Sequence, residues 1–272
     1  MADLQSHDVT AGGERVSPDD ANALFVAHRS IYAFAARYAA GRHVLDAGCG
    51  TGYGATLLAE AGATTVLGVD VDAGALDYAR RNARGPNVSF AAADLAEMGR
   101  LPPPAGGWGL VVCSNALEHV LGVDAFLRGV WQGLAPDGDV VVAVPGVFDA
   151  ASRVLQMSNR YHLNIWTPEQ WRHALQRWFA DVAPLRHILA RADLAFDPGL
   201  DAASVGLDDA DFAFPPVLDG DLRGPTLTHV FVARAPRAAS DVPPRGAPMA
   251  FIDDSFSRRP PHLTPLPPDE AV

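Results

Sequence analysis

The stretch VLDAGCGTGYG at residues 44–54 decides how this chain folds. Its first residues are apolar apart from Asp46, as expected for a buried strand, and glycines follow at positions 48, 50, 52 and 54. A glycine-rich turn between a strand and a helix lets a ligand approach the backbone closely and places it at a helix N-terminus. The stretch therefore predicts a strand, a ligand-binding turn and a helix, in that order.

Apolar runs alternate with helical patterns beyond this turn. Strands are predicted over 43–47, 64–69, 87–91, 109–114, 139–144, 181–190 and 227–235. Helices are predicted over about 53–61, 73–84, 123–134 and 167–179. Near-continuous Val and Leu runs between helices are typical of a parallel sheet that is covered on both faces. We therefore predict an α/β fold, Rossmann-like and doubly wound, with a seven-stranded, mostly parallel sheet.

The two ends of the chain do not show this alternation of strands and helices. Residues 1–16 are polar and predict a flexible N-terminus, whereas 17–40 predict a helix that Ser17 caps. Nine Pro fall within 236–272, which predicts a disordered tail. The folded domain is therefore expected to span 17–235.

The composition excludes several classes of protein. The 32 Asp and Glu outweigh the 21 basic residues, giving a net charge of −11. Nucleic acid and anionic lipid attract proteins through basic patches, so we expect neither as a partner. Two Cys cannot build a disulfide framework or a cysteine-based zinc site. Without a leader or a long apolar run, the chain is expected to be cytoplasmic and not membrane-bound, with a homodimer left open.

Two acids beside the turn narrow the choice of ligand. Asp46 precedes Gly48 by two residues, and Tyr53 stands where the dinucleotide fingerprint GxGxxG requires glycine. A carboxylate at position 46 disfavours a pyrophosphate but suits a ligand with an ammonium and a sulfonium. Asp70 ends the second strand, where it can accept both ribose hydroxyls of an adenosine. An NAD-binding oxidoreductase and a cofactor-binding protein without catalysis remain the alternatives.

With these residues, the sequence resembles the class I S-adenosylmethionine-dependent methyltransferases of the small-molecule type over residues 42–180. The resemblance implies the sheet order 3-2-1-4-5-7-6, with the last strand antiparallel, and S-adenosylmethionine as cofactor. It implies that the cofactor is bound by Asp46, Gly48, Cys49, Gly50, Gly52, Asp70, Val71, Asp94, Leu95 and Asn115. His28 and Tyr32 share a face of the preceding helix and are predicted to close over the cofactor.

The expected reaction is an in-line displacement at the sulfonium methyl, for which the protein supplies alignment and desolvation. A hydroxyl acceptor also benefits from a general base with a pKa near 7. Glu118 and His119 follow the fourth strand at the edge where ligands bind in such sheets, so His119 is predicted to be the base. His162, beyond the fifth strand, is predicted to be a second base or an acceptor contact.

The long connection 191–226 is predicted to be a lid-like insertion over the acceptor. It carries eight Asp together with Phe196, Phe212 and Phe214. An acidic, aromatic lid suits a small neutral or cationic acceptor, such as a sugar, an amine or a natural-product scaffold, and repels phosphate-rich polymers. We therefore expect a small-molecule acceptor.

A metal-assisted reaction is the alternative for the same residues. Small-RNA 3′-terminal 2′-O-methyltransferases bind a divalent metal through a Glu-x-x-Glu-His segment and a later His, and this sequence is similar at 115–119 and His162. Asn115 stands where the first Glu would be, and an amide is a weaker ligand than a carboxylate. No metal is therefore assigned to Glu118, His119 and His162, and an RNA 3′ end remains the alternative acceptor.

Overall fold

The computed structural model describes residues 16–217 and 221–244. The predictions of a flexible N-terminus and of most of a disordered tail fall on 1–15 and 245–272, which lie outside the described residues. Within the described ranges, no helix combines the length and the apolar character needed to cross a bilayer.

One sheet forms the centre of the described chain. Its strands are β1 (His43–Ala47), β2 (Thr65–Asp70), β3 (Val88–Ala92), β4 (Trp108–Ser114), β5 (Leu134–Pro145), β6 (Phe179–Leu189), β7 (Phe212–Ala213) and β8 (Thr228–Pro236). They are ordered β3-β2-β1-β4-β5-β8-β6-β7. β1 to β5 pair in parallel, and β8 runs antiparallel between β5 and β6. The predicted order is confirmed, with β7 as an added edge strand of two residues.

Helices cover both faces of the sheet. They are α1 (Ala23–Ala35), α2 (Tyr53–Glu60), α3 (Ala73–Asn82), α4 (Val123–Gly133), α5 (Ala150–Ser158) and α6 (Pro168–Gln176). Val44 joins a buried cluster with Ile31 of α1 and Leu58 of α2. Its neighbour Leu45 points the other way, into a cluster with Phe126 of α4. Because successive side chains of β1, β4 and β5 are buried on opposite faces, these strands have nearly continuous apolar sequences.

The prediction of a single helix over 17–40 is wrong. Ser17 caps a short 3-10 turn at Pro18–Asp20, and the side chain of Asp20 closes the capping box on Ser17. Ala21 then adopts a left-handed conformation with φ of 45°, which ends that turn. Asn22 caps α1, because its Oδ1 accepts a hydrogen bond from the Phe25 amide at 2.9 Å. The segment therefore contains two separately capped pieces, the 3-10 turn Pro18–Asp20 and α1.

The insertion at 191–226 is packed against α1. The Ala23 amide donates to the Leu200 carbonyl at 2.8 Å. Phe196 and Phe212 contact a buried cluster that includes Val26. Several acids of the insertion form ion pairs, namely Asp193 and Asp211 with Arg191, Asp209 with Arg29, and Asp221 with Arg186. Phe196 and Phe212 therefore belong to a small hydrophobic cluster between the insertion and α1. The role of the insertion as a lid stays a prediction.

The predicted start of the tail at 236 is too early. The Arg237 amide donates to the Trp178 carbonyl at 2.9 Å, and the Trp131 indole donates to the Arg237 carbonyl at 3.0 Å. Val242 packs against the larger core cluster. The chain is therefore held against the domain up to this residue.

Candidate active site

The turn between β1 and α2 is shaped by its glycines. Gly48, Gly50 and Gly52 have φ values of 80°, 50° and 79°, in the left-handed region that favours glycine. A Cβ at Gly48 would lie 2.6 Å from the Ala116 Cβ, whereas a Cβ at Gly50 would meet nothing within 4 Å. The turn is thus pressed against its neighbours at Gly48 and open above Gly50, where a ligand can reach the backbone.

Asp70 holds this turn from the end of the neighbouring strand. Its Oδ2 accepts a hydrogen bond from the Gly50 amide at 2.9 Å, and its Oδ1 accepts one from the Asp72 amide at 2.9 Å. A carboxylate has about four acceptor sites, so these two bonds leave capacity for ribose hydroxyls. The predicted ribose-binding acid therefore also fixes the shape of the turn.

Asp46 is a fully buried acid beneath the turn. The Tyr32 hydroxyl donates to its Oδ1 at 2.9 Å, and its Oδ2 has no hydrogen-bond partner among the described residues. Burial raises the pKa of Asp46 to about 7, against the effect of the Tyr32 hydrogen bond, which lowers it. A buried carboxylate oxygen without a donor is costly. A cationic donor such as the ammonium of S-adenosylmethionine fits this need.

Tyr32 lies on α1 and contacts Asp46 through its hydroxyl group. Its ring lies 5.3 Å from that of Tyr53 in an edge-to-face arrangement, and burial raises its pKa well above the ordinary value. Gly54 permits this approach, since a Cβ there would overlap the Tyr32 ring. The structure therefore places Tyr32 in contact with the buried acid. His28 lies toward His187, whose pKa its charge helps to lower, and its role in binding the cofactor stays a prediction.

The other predicted cofactor residues surround the turn at the same edge. Leu95 is buried, and its Cδ1 would lie 3.6 Å from a Cβ at Gly48. Asp94 accepts from the Ala96 amide at 2.8 Å, which caps the 3-10 helix Leu95–Arg100. Asn115 follows β4 in a left-handed conformation with φ of 48°. Val71 is largely exposed after β2, whereas Cys49 is buried.

The predicted reacting residues form a compact cluster. Ligand atoms of Glu118, His119 and His162 all lie within 4.8 Å of one another. The two imidazole rings are 5.0 Å apart, and the Nε2 of His119 lies 3.8 Å from the Oε1 of Glu118. The cluster adjoins the glycine turn, because Ala116, which packs on Gly48, directly precedes the 3-10 turn Leu117–His119.

Hydrogen bonds assign the tautomer of His119. Its Nδ1 lies 3.0 Å from the Tyr161 carbonyl oxygen. A carbonyl only accepts, so Nδ1 carries the proton in the neutral ring and Nε2 has the lone pair. His162 differs, because the Asn159 side-chain amide donates to its Nε2 at 3.0 Å. His119 is therefore the better placed of the two to accept a proton at Nε2.

A loop after α5 holds this cluster in place. The amides of Leu163 and Asn164 donate to the Glu118 carbonyl at 2.7 and 2.9 Å. The side-chain amide of Asn164 donates to the carbonyls of Leu117 at 2.8 Å and Val120 at 2.6 Å. Sequence reasoning missed Asn164, because nothing in the local pattern shows which polar residue of the loop contacts the 3-10 turn Leu117–His119.

Comparisons with known proteins agree with this geometry. Residues 44–138 match a family model described as a methyltransferase domain. A protein of Mycolicibacterium smegmatis named probable S-adenosylmethionine-dependent methyltransferase is 37% identical over 135 residues, covering 49% of this chain and 50% of that protein. A trans-aconitate 2-methyltransferase of Streptomyces avermitilis is 37% identical over 117 residues, covering 41% of this chain and 42% of that protein. The chain thus spans about half the length, or less, of these relatives.

A solved structure extends the likeness to most of the fold. A methyltransferase from Archaeoglobus fulgidus that depends on S-adenosylmethionine superposes with a TM-score of 0.54 at 18% identity, covering 76% of this chain and 93% of that one. The cofactor of these proteins is S-adenosylmethionine, and the buried Asp46, the open Gly50 and the strand-end Asp70 fit it. Residues 44–138 therefore form a methyltransferase domain that is similar to those of S-adenosylmethionine-dependent methyltransferases.

Proposed function

We propose that this chain transfers the methyl group of S-adenosylmethionine to an oxygen atom of a small molecule, with His119 as the general base. The observation that carries the proposal is the position of His119. It adjoins the glycine turn, its Nδ1 bonds the Tyr161 carbonyl at 3.0 Å, and its Nε2 is available as an acceptor. The name of the trans-aconitate 2-methyltransferase supports a small-molecule acceptor.

The cofactor supplies an electrophilic methyl group on a sulfonium when it is bound. In this proposal, Asp46 binds its ammonium, Asp70 binds its ribose and the open backbone at Gly50 admits it. An acceptor hydroxyl would give its proton to Nε2 of His119 as its oxygen takes the methyl group that the cofactor would supply, and the demethylated cofactor would be the leaving group. The resulting imidazolium is stabilised by the Tyr161 carbonyl and by Glu118, whose Oε1 lies 3.8 Å from Nε2. Solvent then removes the proton.

The test compares cofactor binding with methyl transfer. We expect His119→Ala to bind S-adenosylmethionine with unchanged affinity in a calorimetric titration. We expect it to transfer tritiated methyl groups 10² to 10⁴ times more slowly, the usual range for loss of a general base. His173→Ala, an exposed histidine on α6, is the matched control and should leave both quantities unchanged. Normal turnover by His119→Ala would refute the assignment.

A divalent cation at the same cluster is the second candidate. The approach of the three side chains within 4.8 Å favours it, and the bond from Nδ1 to Tyr161 is the kind that orients a metal-binding histidine. Three protein ligands would leave positions open for an acceptor oxygen, as in catalytic metal sites. The acceptor in this case includes the 2′-hydroxyl of an RNA 3′ end, although the net charge of −11 disfavours RNA.

Chelation separates the two candidates. With His119 as a base, treatment with a chelator leaves methyl transfer unchanged. With a bound cation, chelated protein loses transfer, and added Mn²⁺, Co²⁺ or Zn²⁺ restores it. If a cation is bound, the His162→Ala variant should not regain methyl transfer when metal is added, and it should give no heat of Mn²⁺ binding. The same assay, run with a small RNA and with a phenolic acceptor, identifies which class of acceptor is methylated.

A further inference from the structure

Exposed apolar side chains are concentrated at one edge of the sheet. The large hydrophobic residues that the described ranges expose are Val71, Leu121, Val154, Leu155, Met157 and Tyr161. They lie in the connections that follow β2, β4 and β5, so they belong to the carboxyl edge that also carries the glycine turn and His119. Scattered exposed apolar residues need no explanation, but a set confined to one functional edge indicates a binding surface.

Helix α5 turns its apolar residues toward solvent. Val154 and Leu155 are 65% and 61% exposed, and the helix has no buried residue. Ser152, Arg153 and Gln156 are the partly covered residues, and Gln156 lines a small pocket together with Glu118 and His162. A surface helix normally turns its apolar side to the core. In α5 the polar side faces the domain and the apolar side is left for a partner.

Two of the exposed apolar residues lie near the proposed base. Leu121 is 57% exposed and follows His119 by two residues. Tyr161 is 41% exposed, and its carbonyl accepts the hydrogen bond from His119 at 3.0 Å. We name Leu121, Val154, Leu155 and Tyr161 the apolar edge. A molecule whose reacting oxygen lies at His119 would extend across it.

The size and the charge of the apolar edge define its occupant. A helix of nine residues is about 13.5 Å long. A stable dimer buries about 800 Å² and 20 to 30 residues on each partner, more than this edge provides. Anionic membranes are disfavoured by a net charge of −11. The connection 146–166 carries Arg153 and Arg160 against Asp149, so a cationic acceptor is disfavoured too.

We propose that the methyl acceptor is a neutral, amphipathic small molecule whose apolar body lies on the apolar edge while its oxygen meets His119. This inference rests on the proposed function for the position of the oxygen. It selects an apolar scaffold over a sugar or an amine among the predicted acceptors.

The test measures binding of alkyl esters of 4-hydroxybenzoic acid, from methyl to hexyl, to the full chain with S-adenosylhomocysteine present. Full burial of a methylene corresponds to about a fourfold gain in affinity, so partial burial here should give at least a twofold gain per methylene. The double variant Leu121→Gln/Leu155→Gln should bind all esters as weakly as the methyl ester. Both positions are exposed, so the variant is expected to fold.

Ala105→Gln is the matched control, because it adds the same exposed amide at the opposite edge, before β4. It should keep the dependence on chain length. Affinity that is independent of chain length, no binding at the solubility limit, or equal slopes in wild type and double variant would overturn the proposal. The proposal would also be overturned if the wild type formed a dimer in sedimentation velocity, or bound phosphatidylglycerol vesicles, and the double variant did not. Because binding is measured without methyl transfer, esters that bind but are not methylated refute the proposed function alone.

Discussion

Asp46 shows how one residue links the stability of the domain to cofactor binding. Its carboxyl group is fully buried, so ionising it costs free energy that only Tyr32 offsets within the described chain. The pKa of Asp46 is therefore raised to about 7, above its ordinary value of 3.8. A raised acid pKa means that the folded state holds a proton which the unfolded state releases. Between about pH 4 and pH 7 this group therefore stabilises the cofactor-free fold less as the pH rises.

Cofactor binding should have the opposite dependence on pH. An ammonium binds the ionised carboxylate, so we expect the affinity for S-adenosylmethionine to rise several-fold from pH 6 to pH 7, below the pKa of about 7.7–8.0 that is usual for an α-amino group. Titration calorimetry at pH 7 in two buffers with different heats of ionisation should show net proton release. Asp46→Asn removes the titrating group and should bind weakly at every pH. Flat affinity in the wild type would contradict the role of Asp46.

Asp70 holds the glycine turn and is proposed to bind the ribose of the cofactor, and a single substitution would remove both interactions. Asp70→Ala leaves the Gly50 amide without its partner at 2.9 Å and removes the acceptor for the ribose. We expect affinity for S-adenosylmethionine to fall by about 1–3 kcal/mol, the cost of losing charge-assisted hydrogen bonds. Asp77→Ala, an exposed acid on the adjoining α3, is the control and should bind normally. Unchanged affinity in Asp70→Ala would remove Asp70 from the site.

At the scale of elements, the contact of the loop 161–166 with the 3-10 turn Leu117–His119 determines where the base lies. Asn164 donates two side-chain hydrogen bonds to that turn and is almost fully buried. Asn164→Ala removes both bonds, and the Leu117 carbonyl keeps only the Val120 amide as a donor. A buried carbonyl that loses its donor costs about 1–3 kcal/mol. We expect a lower free energy of unfolding in urea and, in addition, a fall in kcat of about tenfold or more because His119 is displaced.

A cofactor titration separates this positioning role from a general loss of folding. The dissociation constant for S-adenosylmethionine should stay unchanged in Asn164→Ala, since the glycine turn is held by Asp70 instead. Asn82→Ala, which removes an exposed side-chain bond to the Tyr78 carbonyl, is the matched control. If kcat were normal while stability fell, Asn164 would be structural only.

Elements with two buried faces are the ones that sequence patterns predict well. β1, β2, β4 and β5 are Val- and Leu-rich runs, and the bounds of β1 to β5 agree with prediction to within one or two residues, apart from the early start of β5. α5 could not be predicted from burial periodicity, because its apolar side is exposed. The break at Ala21 was also missed, since the choice between the Ser17 and Asn22 caps depends on contacts with the distant residue Leu200.

At the scale of the whole molecule, the parts of the candidate site that a single segment of the chain supplies could be predicted from the sequence. The turn and its two acids follow from strand ends that the parallel sheet brings to a common edge. The contacts that complete the site join residues far apart in the chain, such as Tyr32 with Asp46 and Tyr161 with His119. Such pairings depend on how loops and α1 fold back over the sheet, and no local pattern encodes them.

The opposite edge of the sheet gives the last prediction. Asp139, at the amino end of the regular part of β5, is bonded by both Arg42 and Arg234 and is nearly buried. Both arginines are partly exposed, so we expect Asp139→Asn to lower the free energy of unfolding by only about 1–2 kcal/mol. Because this ion cluster joins β1, β5 and β8 away from the carboxyl edge, cofactor affinity and kcat should not change. Urea unfolding and calorimetric titration of the same protein measure both quantities. A loss of cofactor affinity without a loss of stability would show that the two edges of the sheet are coupled.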